Sequence, residues 1–308
     1  QRQMCIRDSP LGGAGRDFGG VRGAAGGQLS AAAGEAGGGA RQGAGRLCEV
    51  ERRGASVSPC QRSRNNPSLS CNVTFYFNAL LVHAMIPSGR GLRIVGDVHG
   101  DSRAFAAAAQ TDRFIIQLGD LVDDGPDTPG ALRIMFEILD ERRGLFLLGN
   151  HDFKLGRALR GDRVRGEPTA KTMAILPEEL RERTREEILR APVWLQSGKL
   201  FFVHGGFHPA MLEQSPGPFP AGRPEPLWAR ALYGQTSGRV SSGGKPERLL
   251  RWVDDLPTGI TAYVGHDQRS TDGRPYIRHG RRGGMAVFLD TGAGKGGHLS
   301  WMDIDPLP

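Results

Sequence analysis

Apolar runs of four or five residues recur along the chain from residue 92 onwards, and they predict buried strands. The first three runs occupy residues 92–95, 114–118 and 145–148. Runs dominated by Leu, Ile, Val and Phe are typical of strands that are covered on both faces. The segments between them, 101–110 and 129–143, are predicted to be helices. This alternation of strand and helix predicts an α/β fold with a parallel sheet.

The second of these helices carries the clearest signals. Leu132, Phe136 and Leu139 recur at helical spacing and predict one buried face. Thr128 is predicted to cap the amino end, a proline occupies the first turn, and Gly144 follows the carboxyl end. The apolar stripe is interpreted as core packing.

The rest of the chain departs from this alternation. A helix is predicted over 151–160, and within 161–192 a charged, solvent-exposed helix begins near residue 177. Residues 207–226 are rich in Pro and Gly and are predicted to form a loop. Further strands are predicted near 193–196, 200–203, 260–264, 275–279, 285–289 and 298–304.

Polar residues directly follow the first three strands. They form Gly-Asp-Val-His-Gly at 96–100, Gly-Asp-Leu-Val-Asp at 119–123 and Gly-Asn-His-Asp at 149–152. Because ligands bind at the carboxyl ends of the strands in an open α/β sheet, these loops can converge on one spot. Their donors are oxygen and imidazole without Cys, which suits a divalent metal ion.

Two later loops repeat the pattern of an apolar strand followed by His next to Gly, and they contain His204 and His266. Taken singly, each of the five loops is equally well an ordinary turn, because Gly-Asp and Gly-Asn are common turn dipeptides. A single buried His is also usually a packed core residue. Five such loops at matching strand ends favour a metal site over five unrelated turns.

Together the five blocks resemble the signature of the calcineurin-like metallophosphoesterases, most closely of their phosphoprotein-phosphatase branch. That branch carries GDxHG, GDxxDRG, GNHE, HGG or HAG, and a final GH. The chain has GDVHG, GDLVDDG, GNHD, HGG and GH in the same order, over roughly residues 91–304. The GHxH ending of other metallophosphoesterases is absent, since Gln268 follows Asp267. Residues 119–127 and 150–161 are similar to bacterial members, including symmetrical dinucleoside-tetraphosphate hydrolases and the phosphatase domain of polynucleotide kinase-phosphatase.

The resemblance implies a two-sheet α/β/β/α sandwich with two divalent metal ions at one end, whereas the alternation alone supports only the first sheet. The implied metal ligands are Asp97 and His99 on the first ion, Asp120 between both ions, and Asn150, His204 and His266 on the second. His151, oriented by Asp123, is the implied general acid. Manganese is the expected metal, with iron and zinc as alternatives.

Position 124 departs from the family's pattern. The branch normally carries there an Arg that grips the substrate phosphate, whereas this chain has Asp124. Arg230 resembles the family's later Trp-x-Arg segment, and we expect it to bind phosphate together with Asn150. The alternative is that Arg230 is a solvated helix residue. Residues 290–292, Asp-Thr-Gly, also resemble a family feature near the site, but a strand-ending turn is the favoured interpretation.

The resemblance implies hydrolysis of a phosphate ester, in which a metal-held hydroxide attacks phosphorus and His151 protonates the leaving oxygen. Three substrates stay open: a phosphoserine or phosphothreonine protein, a dinucleoside polyphosphate, and a terminal or cyclic phosphate of a nucleic acid. The stretch 154–161 slightly favours the nucleotide-like substrates. The rival hypothesis is a non-catalytic metal-binding module that recruits partners, and its only support is Asp124.

Composition separates a leader from the rest of the chain. Residues 1–90 hold all four Cys, eleven Arg and five acidic residues, a net charge of +6, while the remainder has a net charge of +1. Fifteen glycines among the first 54 residues, without periodicity, predict a disordered Gly/Arg-rich leader over 1–84 ahead of a metallophosphoesterase domain over 85–308. The basic leader is weak support for nucleic-acid binding.

The opening residues look like translated sequencing adapter, and Met85 is predicted to be the natural start. The apolar stretch 73–86 is shorter than the roughly 20 residues that a membrane-spanning helix needs, and it does not stand at the amino terminus as a signal peptide would. The cysteines have no CxxC spacing, so they form no zinc pattern. We therefore expect a cytoplasmic protein without membrane association.

Overall fold

The computed structural model describes residues 86–244 and 246–306. The predicted leader, the start proposed at Met85 and nearly all of the stretch 73–86 lie outside the described residues. The strands are β1 Leu92–Val95, β2 Phe114–Gln117, β3 Gly144–Phe146, β4 Trp194–Ser197, β5 Leu200–Val203, β6 Gln235–Val240, β7 Pro246–Leu249, β8 Thr261–Val264, β9 Tyr276–His279, β10 Met285–Phe288 and β11 Trp301–Ile304. The helices are α1 Ser102–Ala109, α2 Thr128–Asp140, α3 Asn150–Leu159, α4 Glu167–Ile175, α5 Glu178–Arg190 and α6 Pro226–Tyr233, with 3-10 turns at Pro209–Leu212 and Arg251–Asp255.

The first sheet has the strand order β11-β1-β2-β3. The central strands β1, β2 and β3 are parallel, and β11 pairs with β1 in the antiparallel sense. Val95 lies opposite Gln117, so β1 and β2 end at the same level. The loops that follow them therefore leave from the same edge of the sheet.

The second sheet has the order β4-β5-β8-β10-β9. Its three inner strands are parallel, with Val203, Val264 and Phe288 side by side at their carboxyl ends. The outer strands β4 and β9 are antiparallel to their neighbours. The chain segments after β5, β8 and β10 consequently start at one edge as well.

Alternate residues of the strands divide the core into two clusters. Leu92 and Ile94 of β1 pack with Phe202, Tyr263 and Val287 of the second sheet, so the two sheets face each other. The opposite faces join the apolar residues of the helices in a separate cluster. This arrangement confirms the predicted α/β/β/α sandwich, and it explains the continuous apolar runs, because both faces of the inner strands are buried.

Helix α2 differs from the prediction at both ends. Asp127, and not Thr128, is its cap: the Asp127 carboxylate accepts the amide hydrogen of Gly130 at 2.9 Å. The helix ends at Asp140, while Gly144 is the first residue of β3. Adjacent Asp and Thr are both good caps, so the sequence alone could not choose between them.

The region 161–192 contains two helices where the sequence predicted one. The charged helix α5 carries the expected pairs, such as Arg183 with Glu187 and Arg190 with Glu186. Helix α4 was not predicted, nor was the exposed hairpin formed by β6 and β7. Within the described part of the chain, no helix is long and apolar enough to cross a bilayer.

Candidate metal centre

The loops after β1, β2, β3 and β5 meet around the carboxylate of Asp120. His204 Nε2 lies 3.3 Å from Asp120 Oδ2 and 3.2 Å from Asn150 Oδ1. His99 Nε2 lies 3.6 Å from the same Asp120 oxygen. Asp120 and both histidines are buried. One carboxylate thus stands between imidazoles that come from both sheets.

The loop after β8 closes the other side of the site. The backbone amide of His266 donates to both Asp97 carboxylate oxygens at 3.0 Å, and the His266 ring lies 4.9 Å from the His204 ring. Asp97 Oδ2 is 3.8 Å from His99 Nε2. The structure therefore brings together all six residues that the sequence predicted as metal ligands.

The potential ligand atoms form two overlapping groups. One contains His99, Asp120 and His151, and the other contains Asp120, His204 and His266, with the ligand atoms of each group within 4.8 Å of one another. Asp120 belongs to both groups. Oxygen and imidazole donors without thiolate suit divalent ions such as manganese, iron or zinc.

Left-handed backbone is concentrated in these loops. Among the described non-glycine residues with positive φ, five belong to them: His99, Asp120, Asp123, Asp124 and His266, with φ between 45° and 70°. This conformation costs free energy for residues with a side chain and persists where the surrounding structure enforces it. Here it reverses the chain after β1, β2 and β8 and directs these side chains to one place.

Two glycines permit the close approach of the loops. A Cβ at Gly149 would overlap the backbone nitrogen of Asp120, and a Cβ at Gly265 would overlap the Asp97 carboxylate. These are among the glycines that flank the polar residues in the sequence. They are needed because any side chain would push the potential ligands apart.

Three carboxylates are buried close together, which makes a bound cation favourable. Burial and the nearby charges of Asp290 and Asp120 raise the pKa of Asp97 well above its usual range. Burial and the Asp120 charge likewise raise the pKa of Asp290. For Asp120 burial alone would raise the pKa, but the imidazoles of His204 and His151 outweigh it and lower the value. A divalent ion would supply the missing positive charge.

Asp290 is the residue of this cluster that the sequence predicted to be part of a strand-ending turn. Its carboxylate accepts the amide hydrogen of Gly292 at 3.0 Å, as expected for a strand-ending turn. It is nevertheless buried and close enough to raise the pKa of Asp97. Asp290 therefore both forms the strand-ending turn and lies at the site.

Burial keeps His99 and His266 neutral, which suits both imidazoles to bind metal. Burial lowers the pKa of His99 to about 4 and lowers that of His266 well below its usual value. The second nitrogens of the site histidines are oriented by the backbone where the structure shows a partner: His99 Nδ1 lies 3.2 Å from the Val122 carbonyl oxygen, and His204 Nδ1 lies 2.9 Å from that of Leu118. Such contacts leave Nε2 for an ion.

His151 is held beside these ligands by a buried chain of hydrogen bonds. Its Nδ1 lies 2.8 Å from Asp123 Oδ2, and Asp123 accepts the hydroxyl groups of Thr169 and Thr172. Burial lowers the pKa of His151, but the Asp120 charge and the Asp123 hydrogen bond outweigh it and raise the value. Both threonines lie on α4, the helix that the sequence did not predict. His151 is 16% exposed and accessible to a ligand.

Asp152 ties two of the site loops together. Its buried carboxylate accepts backbone amide hydrogens from Asp120 at 2.7 Å, Leu121 at 3.0 Å and Gly149 at 3.0 Å. Burial and the Asp120 charge raise the pKa of Asp152 to about 7. Asp152 belongs to the third sequence block, but its sequence context predicts no role for it. Its position shows that it holds the Asp120 and Asn150 loops in register.

Replacing Asp152 by alanine is expected to destabilise the protein by about 3 kcal/mol or more, since three buried amide groups lose their acceptor at about 1–3 kcal/mol each. Urea unfolding followed by circular dichroism measures this loss. Asp112→Ala is the matched control, because Asp112 is an exposed residue of the turn before β2. Equal unfolding midpoints for the two variants would contradict the assigned role.

Two arginines near the site are candidates for binding phosphate. The described hydrogen bond of the Arg230 side chain is to the Phe207 carbonyl oxygen at 3.4 Å, so its phosphate-binding role stays a prediction. Arg248, on β7, contacts His266 Nε2 and donates to the Tyr233 carbonyl oxygen at 2.8 Å. It lies in the hairpin that the sequence did not predict, and nothing in its local pattern distinguishes it from other surface arginines.

The fold and the site define a class of protein. Residues 92–268, more than half of the chain, match the family model of the calcineurin-like phosphoesterases. The chain therefore belongs to the calcineurin-like phosphoesterase family, as the five blocks predicted. It is a metal-dependent phosphoric ester hydrolase. Membership of this enzyme family argues against the rival hypothesis of a non-catalytic metal-binding module.

Curated relatives refine the comparison. The chain is 25% identical over 231 residues to the asymmetrical bis(5′-nucleosyl)-tetraphosphatase PrpE of Geobacillus thermodenitrificans, covering 67% of this chain and 87% of the relative. It is 35% identical over 127 residues to a symmetrical bis(5′-nucleosyl)-tetraphosphatase of an Acidovorax species, covering 38% and 44%. A solved protein serine/threonine phosphatase from Saccharomyces cerevisiae has the same fold, with 12% identity, 79% and 91% coverage, and a TM-score of 0.50.

Proposed function

We propose that the protein hydrolyses a dinucleoside polyphosphate at a centre of two divalent ions. The observation that carries the two-ion centre is the shared carboxylate of Asp120, which lies within reach of His99 on one side and His204 on the other. Asp97 would join His99 on the first ion. Asn150 and His266 would join His204 on the second.

When bound, the two ions would lower the pKa of a water molecule and neutralise charge on the phosphate oxygens. The chain itself supplies the proton for the leaving oxygen. His151 Nδ1 is committed to Asp123, so Nε2 is the ring nitrogen that remains for a substrate. Its raised pKa keeps the proton available near neutral pH.

The nucleotide substrate is supported by the relatives, among which both asymmetrical and symmetrical dinucleoside tetraphosphatases occur. Phosphoproteins and nucleic-acid ends are the competing substrates within the family. Manganese is the proposed metal, with iron and zinc as alternatives, because all three suit a ligand set of two carboxylates, an amide oxygen and three imidazoles.

The test uses the full chain loaded with manganese. Diadenosine tetraphosphate, p-nitrophenyl phosphate, a phosphoserine peptide and a 5′-phosphorylated oligonucleotide are compared at equal concentration, with product separation by anion exchange. We expect the highest kcat/KM for the tetraphosphate. Release of ATP and AMP would indicate asymmetrical cleavage, and release of two ADP would indicate symmetrical cleavage.

Asp120→Asn is the control for this assay, because asparagine keeps the acceptor for the His151 amide, which lies 2.8 Å from Asp120 Oδ1. We expect this variant to fold and to be inactive. A higher kcat/KM for the phosphopeptide would overturn the nucleotide substrate. If Asp120→Asn hydrolysed both the tetraphosphate and the phosphopeptide as fast as the wild type, the two-ion centre would be overturned.

Arg248→Ala is expected to raise KM by about tenfold, since a hydrogen bond to a charged group contributes about 1.5–3 kcal/mol. Steady-state kinetics with the tetraphosphate measures this change. Arg230→Ala, for which the sequence also predicts a raised KM, is measured alongside it. An increase confined to Arg230→Ala would remove Arg248 from the phosphate site.

A further inference from the structure

We propose that Lys295 binds the substrate's phosphate groups and replaces the arginine that the family's motif carries at position 124. This inference rests on the proposed function. The structure shows Lys295 Nζ 3.2 Å from Oδ2 of Asp124, which lies in the loop after β2. Asp124 stands where the family's motif has an arginine, and the positive charge beside it comes from Lys295, in the loop between β10 and β11.

The backbone of this second loop is built for a close approach. Gly292, Gly294 and Gly296 all have φ between 71° and 87°. A Cβ at Gly294 would overlap the carbonyl oxygen of His99, so only glycine allows the two loops to touch. The amide of Lys295 donates to the Gly292 carbonyl oxygen at 3.1 Å, which closes the turn that carries the lysine.

Lys295 reaches the centre itself. Its Nζ lies 2.7 Å from His99 Nε2, the nitrogen proposed to bind the first ion. A metal ion and an ammonium group cannot both use this nitrogen. With metal bound, the Asp124 carboxylate is therefore the partner that remains for Lys295. Asp124 is then a positioning residue that holds the ammonium group at the edge of the site.

This edge is accessible to a ligand. The side chains of Asp124 and Lys295 are 23% and 38% exposed, whereas those of Asp97, His99 and Asp120 are buried. Lysine is a compact charge on a flexible stem, so it can contact a phosphate chain without the fixed fork of an arginine. Arg248 supplies a second cation, beside His266.

Inorganic phosphate is the probe, measured by isothermal titration calorimetry with the manganese-loaded full chain. Lys295→Ala is expected to weaken phosphate binding by about tenfold and to raise KM for the tetraphosphate more than it lowers kcat. Lys295→Arg is expected to retain most of the affinity. The double variant Lys295→Ala with Asp124→Arg, which restores the family's arginine, is expected to regain affinity relative to Lys295→Ala.

Lys199→Ala is the matched control, because Lys199 is an exposed lysine at the amino end of β5, opposite to the end that bears His204. Unchanged phosphate affinity in Lys295→Ala would overturn the proposal. An additional metal ion in Lys295→Ala, found by elemental analysis, would also overturn it, because the lysine would then stand in for an ion. Calorimetry gives these results even if no phosphate ester is hydrolysed, so the two proposals fail independently.

Discussion

His151→Ala is expected to lower kcat by about 10²–10⁴-fold, the usual contribution of a general acid. The imidazole is fixed by Asp123, which is in turn fixed by two threonine hydroxyls, so the proton donor is oriented before substrate binds. The largest loss is expected for an alkyl phosphate, whose leaving oxygen needs a proton, and a smaller one for p-nitrophenyl phosphate. Steady-state kinetics with both substrates measures the difference.

The metal content of this variant decides what the loss means. His151 also belongs to a group of possible metal ligands with His99 and Asp120. A general acid can be removed without loss of metal, whereas removal of a ligand lowers the metal content found by elemental analysis. His279→Ala, an exposed histidine at the end of β9, is the control. Equal losses on both substrates, together with reduced metal, would make His151 a ligand.

The central part of this site could be predicted from the sequence because its residues follow buried strands. The runs before Asp97, Asp120 and His204 are dominated by apolar residues, since each of these strands is covered by a sheet on one face and by helices on the other. Glycines next to the polar residues mark the sharp turns. The end of each apolar run therefore marks both a turn and a potential metal ligand.

The supporting residues could not be predicted, because their roles depend on contacts between distant segments. Thr169 and Thr172 lie on a short helix without a strong apolar stripe, and their hydroxyls reach Asp123 across more than forty residues of chain. Arg248 lies in an exposed hairpin whose strands lack alternation. Lys295 stands in a glycine-rich stretch that gives no signal of its approach to His99.

The cap of α2 and the function of Asp152 also depend on contacts between distant segments, so the local sequence could not predict them. Both are side chains that bind backbone amides, and several neighbouring residues are chemically able to do so. Asp127 caps the helix because it also accepts the Ser102 hydroxyl at 2.6 Å, which comes from another helix. Tertiary contacts of this kind choose among residues that local propensity leaves equivalent.

Removing the divalent metal is expected to abolish hydrolysis and to lower Tm. Three buried carboxylates, Asp97, Asp120 and Asp290, would lose the cation that balances their charge. An ion present at a hundred times its Kd stabilises the native state by about 2.7 kcal/mol, which corresponds to roughly 5–10 °C in Tm for a domain of this size. Thermal unfolding and activity are measured after chelation and again after manganese is added back.

The variant Asp120→Asn distinguishes stabilisation by manganese bound at the proposed centre from stabilisation by manganese bound elsewhere on the protein. This residue belongs to both groups of potential ligands, so its replacement is expected to reduce the manganese-dependent rise in Tm more than the loss of a ligand to one ion, as in His266→Ala. A rise in Tm that is equal in wild type and in both variants would mean that manganese binds elsewhere. In that case the close approach of the five loops would stabilise the fold without forming the centre that hydrolysis requires.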